Sequence, residues 1–112
     1  MILVTLRITV RPEKRNDVLE AIRGMLEPTR VERGCLSYRL YEEVGNRNAL
    51  IMVEEWETQE DLERHLRTDN QRRLLELMDL SSEQPELRFN TVSHTAGMGL
   101  IEDVLLKARR ES

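Results

Sequence analysis

The chain is poor in several things, and each shortage excludes a class of protein. It has one cysteine, Cys35, so no internal disulfide can form, and a lone thiol fits a reducing, cytoplasmic setting. Its five glycines are scattered, so no glycine-rich phosphate loop can be read. Two histidines, His65 and His94, and the single cysteine fall on different expected elements and offer no zinc or iron ligand set. Neither a metal nor another cofactor is therefore expected. No window approaches the roughly 20 apolar residues that a bilayer requires, so no membrane partner is expected. The opening MILVTLRITV is interrupted by Arg7 and followed by Pro12; without a basic leader or a small-residue cleavage site it does not read as a signal peptide. Basic residues are in deficit, 17 Lys and Arg against 21 Asp and Glu, and the net charge of −4 disfavours nucleic acid as a partner.

What is present is a chain of 112 residues, 39% hydrophobic and 34% charged, the size and composition of one domain. Residues 2–10 alternate, with Ile2, Val4, Leu6, Ile8 and Val10 on one face, and read as a strand. Pro12 and Glu13 open a helix that carries Val18, Ile22 and Met25 at helical spacing, and Pro28 is expected to kink or end it. Residues 35–44 and 49–57 form a hairpin around Gly45-Asn46-Arg47-Asn48. Thr58 caps a second helix, with Asp61 at the reciprocal capping position, and Asp69-Asn70 breaks it. A further helical segment, a loop to Pro85 and a strand over 86–95 follow. The order βαββαβ is the ferredoxin-like α+β plan, a four-stranded antiparallel sheet with helices on one face. It occupies residues 1–95, and residues 96–112 form an extension that reads as a short helix.

If Val44 pairs with Ala49, Tyr41 opposes Met52, Arg39 opposes Glu54 and Ser37 opposes Trp56; a one-residue slip would move each side chain to the other face. In either register both faces of the sheet carry large apolar groups, and helices cover only one. The expected solution is a homodimer whose sheets pack face to face. The alternative is that the tail helix covers the second face within one chain.

The run Glu32-Arg33-Gly34-Cys35-Leu36-Ser37-Tyr38-Arg39-Leu40-Tyr41 resembles the E-P-G-C-x-x-Y-x-L-Y signature of the antibiotic biosynthesis monooxygenase (ABM) family. Glu54-Glu55-Trp56 followed by Asp61-Leu62 and His65 resembles that family's E-x-W … L-x-x-H signature. The resemblance spans about residues 2–94. It implies a dimeric α+β barrel and a cofactor-free oxidation of a quinol-like or polyaromatic small molecule by O₂. The family is mixed, and two other readings stay open: a non-redox isomerase of a small polar metabolite, with Arg7, Arg39 or Arg88 holding a phosphate, and a ligand-binding dimer without turnover. Haem degradation is disfavoured, because the expected tryptophan and histidine positions hold His65 and Leu75, and no asparagine lies on the first strand. Arg33 replaces the signature's proline, which bears mainly on the turn.

Deprotonating an electron-rich phenol or enol needs a base, orientation and a dry cavity. His65 is the base candidate, since imidazole is the side chain that exchanges protons near neutral pH. Trp56, Tyr38 and Tyr41 are the substrate-binding candidates; the two tyrosines fall on opposite faces, so one should meet the cavity and the other the dimer interface. Glu54 is expected to pair with Arg39 across the hairpin rather than to act in a site. Cys35 reads as a small buried apolar group and His94 as interfacial or exposed.

Overall fold

The structure is a computed structural model that describes residues 1–111. Strand β1 (Ile2–Thr9) is followed by a short 3₁₀ turn at Pro12–Lys14 and helix α1 (Arg15–Arg30). Strands β2 (Cys35–Glu43) and β3 (Asn46–Trp56) form the hairpin; helices α2 (Gln59–Leu66) and α3 (Asp69–Met78), strand β4 (Glu86–Thr91) and helix α4 (Met98–Glu111) complete the chain. The antiparallel sheet has the order β2-β3-β1-β4, the expected ferredoxin-like arrangement. Among the described residues no helix is long and apolar enough to cross a membrane.

Alternation decides which face is buried. Ile2, Val4, Leu6 and Ile8 of β1 and Leu50, Met52 and Trp56 of β3 point to the helical side and are sealed there. On α1, Val18, Ile22, Met25 and Thr29 recur every three or four residues and are buried against the sheet. Leu74 of α3 and Tyr38 of β2 join this main core, while Ile2, Val4, Trp56 and Leu62 form a smaller cluster, with Cys35 packed against both.

Four boundaries differ from expectation. Helix α1 runs past Pro28 to Arg30. Proline at 28 forfeits only the bond to the Gly24 carbonyl, and both residues lie on the exposed side, where water can satisfy it. The break after α2 comes at Arg67-Thr68, not at Asp69, because Thr68 accepts from the Gln71 N–H and caps α3. Strand β4 stops at Thr91, where the pairing with β1 ends in a bond from Val92 N–H to the Met1 carbonyl. The hairpin turns at Val44-Gly45, earlier than the Asn-rich stretch, with Gly45 at φ +88°. The turn and an irregularity at Glu42/Glu43 shift the register by one residue. Tyr38 therefore opposes Glu54, Leu40 opposes Met52, and Tyr41 opposes Ile51. The expected pairs Arg39 with Glu54, Tyr41 with Met52 and Ser37 with Trp56 do not form.

The far side of the sheet carries Leu3, Thr5, Ile51, Val53 and Tyr41, with Arg7, Arg39 and Arg88 around them. Arg7 is held by Glu43 through two hydrogen bonds of 3.0 and 3.2 Å, which raises its pKa and lowers that of Glu43. Helix α4 has no buried residue, so it does not cover this face within the chain.

The loop between α1 and β2 is locked onto the start of α2. Gly34 has φ +82°, its carbonyl accepts from Glu57 N–H at 2.8 Å, and a Cβ placed on it would lie 2.1 Å from Cγ of Asp61. Asp61 cannot retreat easily: it accepts from Thr58 Oγ1 at 2.8 Å and from Arg64 at 2.8 Å, which together lower its pKa. Gly45 has a similar backbone but open space around it. Gly45→Ala should therefore cost only the left-handed backbone penalty, about 1–2 kcal/mol. Gly34→Ala should cost roughly 2–5 kcal/mol, because overpacking adds to the same penalty. Urea unfolding of the two variants side by side measures the difference; equal losses would remove the Asp61 contact from the account.

Candidate functional site

Helix α2 places His65 on its inner face, one turn after Asp61 and beside Leu62, and the ring is 1% exposed. Beneath it the end of β3 presents Glu54 and Trp56, two residues apart and so on the same face of the strand. The imidazole stacks on the indole, with centroids 4.6 Å apart and planes at 27°. Tyr38 meets the imidazole edge-on at 6.0 Å. The structure thus brings together three of the four residues singled out in the sequence, His65, Trp56 and Tyr38. It sets Tyr41 apart, on the far face of the sheet and 45% exposed. His94 lies beyond β4 and is exposed.

Two carboxylates complete the cluster, and neither was assigned to it from sequence. Glu32, in the loop after α1, accepts from His65 Nδ1 at 3.0 Å. A carboxylate at that position accepts from Nδ1–H, and in the Nδ1–H tautomer Nε2 carries the lone pair. Nε2 is buried and makes no hydrogen bond; its closest carboxylate is Glu54, at 3.7 Å. Glu54 accepts from Trp56 Nε1–H at 3.0 Å and is 4% exposed. Burial pushes its pKa up, against the lowering influence of the indole N–H and of His65. The expected Arg39–Glu54 pair is replaced by this arrangement, because the register places Arg39 opposite Val53. Signals for both carboxylates were in the sequence: Glu32 opens the first motif, and Glu54 stands two residues before Trp56.

The network gathers an imidazole with one nitrogen hydrogen-bonded and the other without a partner, beside an acid whose pKa burial raises. Such a pair can pass one proton back and forth. Burial also pushes the Tyr38 phenol well up, so it remains a donor, and the half-buried Cys35 thiol is raised to about 11 and stays protonated at neutral pH. Tyr38 and Cys35 also line a cleft of about 320 Å³ with Arg30, Leu36, Ser37 and Arg39; His65 is not among its walls. Among the described residues no group of three or more His, Cys, Asp and Glu side chains is placed to hold a metal ion.

The arginines considered for a phosphate lie elsewhere. Arg7 and Arg88 line a cavity of about 190 Å³ on the far face of the sheet with Thr5, Leu6, Ile51 and Glu86. Arg39 shares that far face, and the sheet separates all three from His65.

Comparison with known proteins agrees with the motifs. The family described as antibiotic biosynthesis monooxygenase matches residues 1–77, ending before β4 and α4. A Bacillus subtilis (strain 168) protein named "Putative monooxygenase YcnE" is 34% identical over 68 residues, covering 61% of this chain and 72% of that protein. The crystal structure of a conserved protein from Methanosarcina mazei Go1 superposes with a TM-score of 0.73 at 29% identity, over 80% of this chain and 89% of that one. The crystal structure of an antibiotic biosynthesis monooxygenase superposes with a TM-score of 0.75 at 25% identity, over 84% of this chain and all of that one. With its fold, its two motifs and most of its length accounted for in this way, the chain belongs to the antibiotic biosynthesis monooxygenase family.

Proposed function

We propose that the protein is a monooxygenase that oxidises a quinol-like or polyaromatic small molecule with O₂ and no added cofactor, with His65 as the base. The observation that carries this reading is the buried imidazole whose Nδ1 is committed to Glu32 while Nε2 has no hydrogen-bond partner. A base of this kind takes the phenolic or enolic proton, and the resulting anion is electron-rich enough to reduce O₂ itself. The protein supplies the proton acceptor, a surface to stack on in Trp56, and exclusion of water. Glu54 then takes part in returning the proton. Tyr38, which walls both the network and the open cleft, is the proposed gate through which a substrate reaches the imidazole.

The isomerase reading has less support, because the three arginines that would hold a phosphate face away from His65. A ligand-binding role without turnover is separated from the first reading by oxygen uptake. Purified protein should consume oxygen with at least one member of a quinol and anthrone panel without flavin or metal; no uptake above buffer with any of them would end the monooxygenase reading.

In the same reading the protein is a homodimer formed through the far face of the sheet, where Leu3, Ile51, Val53 and Tyr41 would be covered. Sedimentation should give twice the 13.2 kDa chain mass at micromolar concentration. The total buried area should be on the order of 2,000 Å² or more. Ile51→Asp should lose several kcal/mol of association through uncompensated burial of charge, of order 2–7. A wild-type monomer would contradict the arrangement.

His65→Ala should lower turnover per folded molecule by about 10²–10⁴-fold. It should also lose about 1–3 kcal/mol of stability, since Glu32 is left unpaired. Melting temperature and turnover measured on one preparation separate the two effects, and a destabilised but fully active variant would exclude the base role.

Glu54 gives a pH signature of stability. Its folded-state pKa is raised, so its contribution is fully present below the ordinary carboxyl pKa and is lost as pH rises through the folded value. Glu54→Gln removes that loss. Unfolding free energies at pH 5 and pH 8 should show the variant gaining on the unaltered protein as pH rises; a constant gap would contradict the assignment.

A further inference from the structure

Two apolar surfaces are bare at the same time in one chain. The first is α4. Met98, Ile101, Val104, Leu105 and Ala108 recur at helical spacing along it, and Met98, Ile101, Val104 and Leu105 are each more than half exposed. A 14-residue helix without a packed face is marginal in water. Helix α4 is also held away from the body: the chain extends over 55 Å with a radius of gyration of 17.5 Å, well above the ~13 Å of a compact domain of about 100 residues.

The second surface is on the body. Helix α1 packs mainly on β2, and the main contacts of β4 are with its neighbour β1. All six residues of β4 are exposed. Leu87 and Phe89 stand opposite Leu6 and Val4, so they lie on the helical side of the sheet, yet they are 40% and 49% exposed. Just before them, Leu75, Met78 and Pro85 line a cleft of about 520 Å³ between α3 and the loop to β4. This cleft is rimmed by Asp79 and Glu83, whereas the last turn of α4 carries Arg109 and Arg110, with Lys107 paired to Glu111 along the helix at 3.9 Å.

We propose that α4 is an exchanged arm whose apolar face seats in the α3–β4 groove of a second copy of this chain. The two surfaces match in character, apolar on apolar, with an acidic rim meeting a basic helix end. One chain displays both and closes neither, so a pair of copies satisfies all four surfaces at once, as in exchange of an identical element between protomers. The linker of residues 92–97, with Ala96-Gly97 at its end, gives the arm room to reorient. This inference stands apart from the catalytic reading and from pairing of the sheets.

Disulfide trapping tests it on the full chain. In a Cys35→Ser background, chains carrying only Ile101→Cys or Leu105→Cys are mixed with chains carrying only Leu87→Cys or Phe89→Cys, unfolded together, refolded and oxidised. Because each chain has one thiol, a link between the two kinds can form only between copies. The expected result is a covalent dimer containing one chain of each kind in at least one mixture, at several-fold the yield of links between chains of the same kind. Links confined to Ile101→Cys or Leu105→Cys chains alone would mean that α4 pairs with α4, and would overturn the proposal. So would an internal link in a chain carrying both substitutions with no link between copies, which would place α4 in its own groove. Absence of any link, with the chain instead sedimenting on vesicles containing phosphatidylserine, would make α4 a membrane-surface helix and overturn it equally.

Discussion

Burial of ionisable groups is the constraint from which the architecture around α2 follows. An imidazole and a carboxylate both shielded from water have to find partners, since an unpaired buried polar or charged group costs several kcal/mol. Here the partners come from three separate segments. Glu32 arrives from the loop after α1, Glu54 and Trp56 from the end of β3, and His65 from α2. Moving any one of these segments would strand the others. The cluster is therefore both the candidate site and a cross-brace, and a variant in it is expected to affect stability and chemistry together.

The brace holds only if the loop carrying Glu32 stays against α2. That position depends on a glycine at 34, where a side chain would collide with Asp61, and on Asp61 being fixed by Thr58 and Arg64. The Thr58 cap thus does more than start a helix. It fixes the carboxylate against which the loop rests, two residues from Glu32. Arg33, in the place of the signature's proline, is exposed and leaves the Gly34 contact intact.

Much of this was legible in the chain. The period-two pattern of Ile2 to Ile8 and the Thr58 cap are local signals, and local physics was enough to place them. The hairpin register was not legible, because it depends on which of several adjacent turn-forming residues bends. Gly45 took that role, and the resulting one-residue shift placed Tyr38 instead of Arg39 opposite Glu54. The shift removes the expected Arg39 partner, and Glu54 proves to be a buried acid bonded to Trp56 and beside His65. Glu32 opened the first motif, but its contact with His65 was not legible for a different reason: a loop residue's burial is set by what packs over it, and α2 lies 33 positions from it at His65. Helix α4 could be read from its apolar spacing, but spacing says nothing about where that face is covered.

The central claim is that Glu32 holds His65 as the Nδ1–H tautomer with Nε2 free to accept a proton. Two-bond ¹H–¹⁵N correlation of the imidazole rings reads this directly, and with only His65 and His94 in the chain, His65→Gln assigns the signals. Near neutral pH the account predicts a protonated Nδ1 and an unprotonated, lone-pair Nε2 for His65, with the preference weakened in Glu32→Gln. A protonated Nε2 directed at Glu54, with a lone-pair Nδ1 facing Glu32, would contradict it.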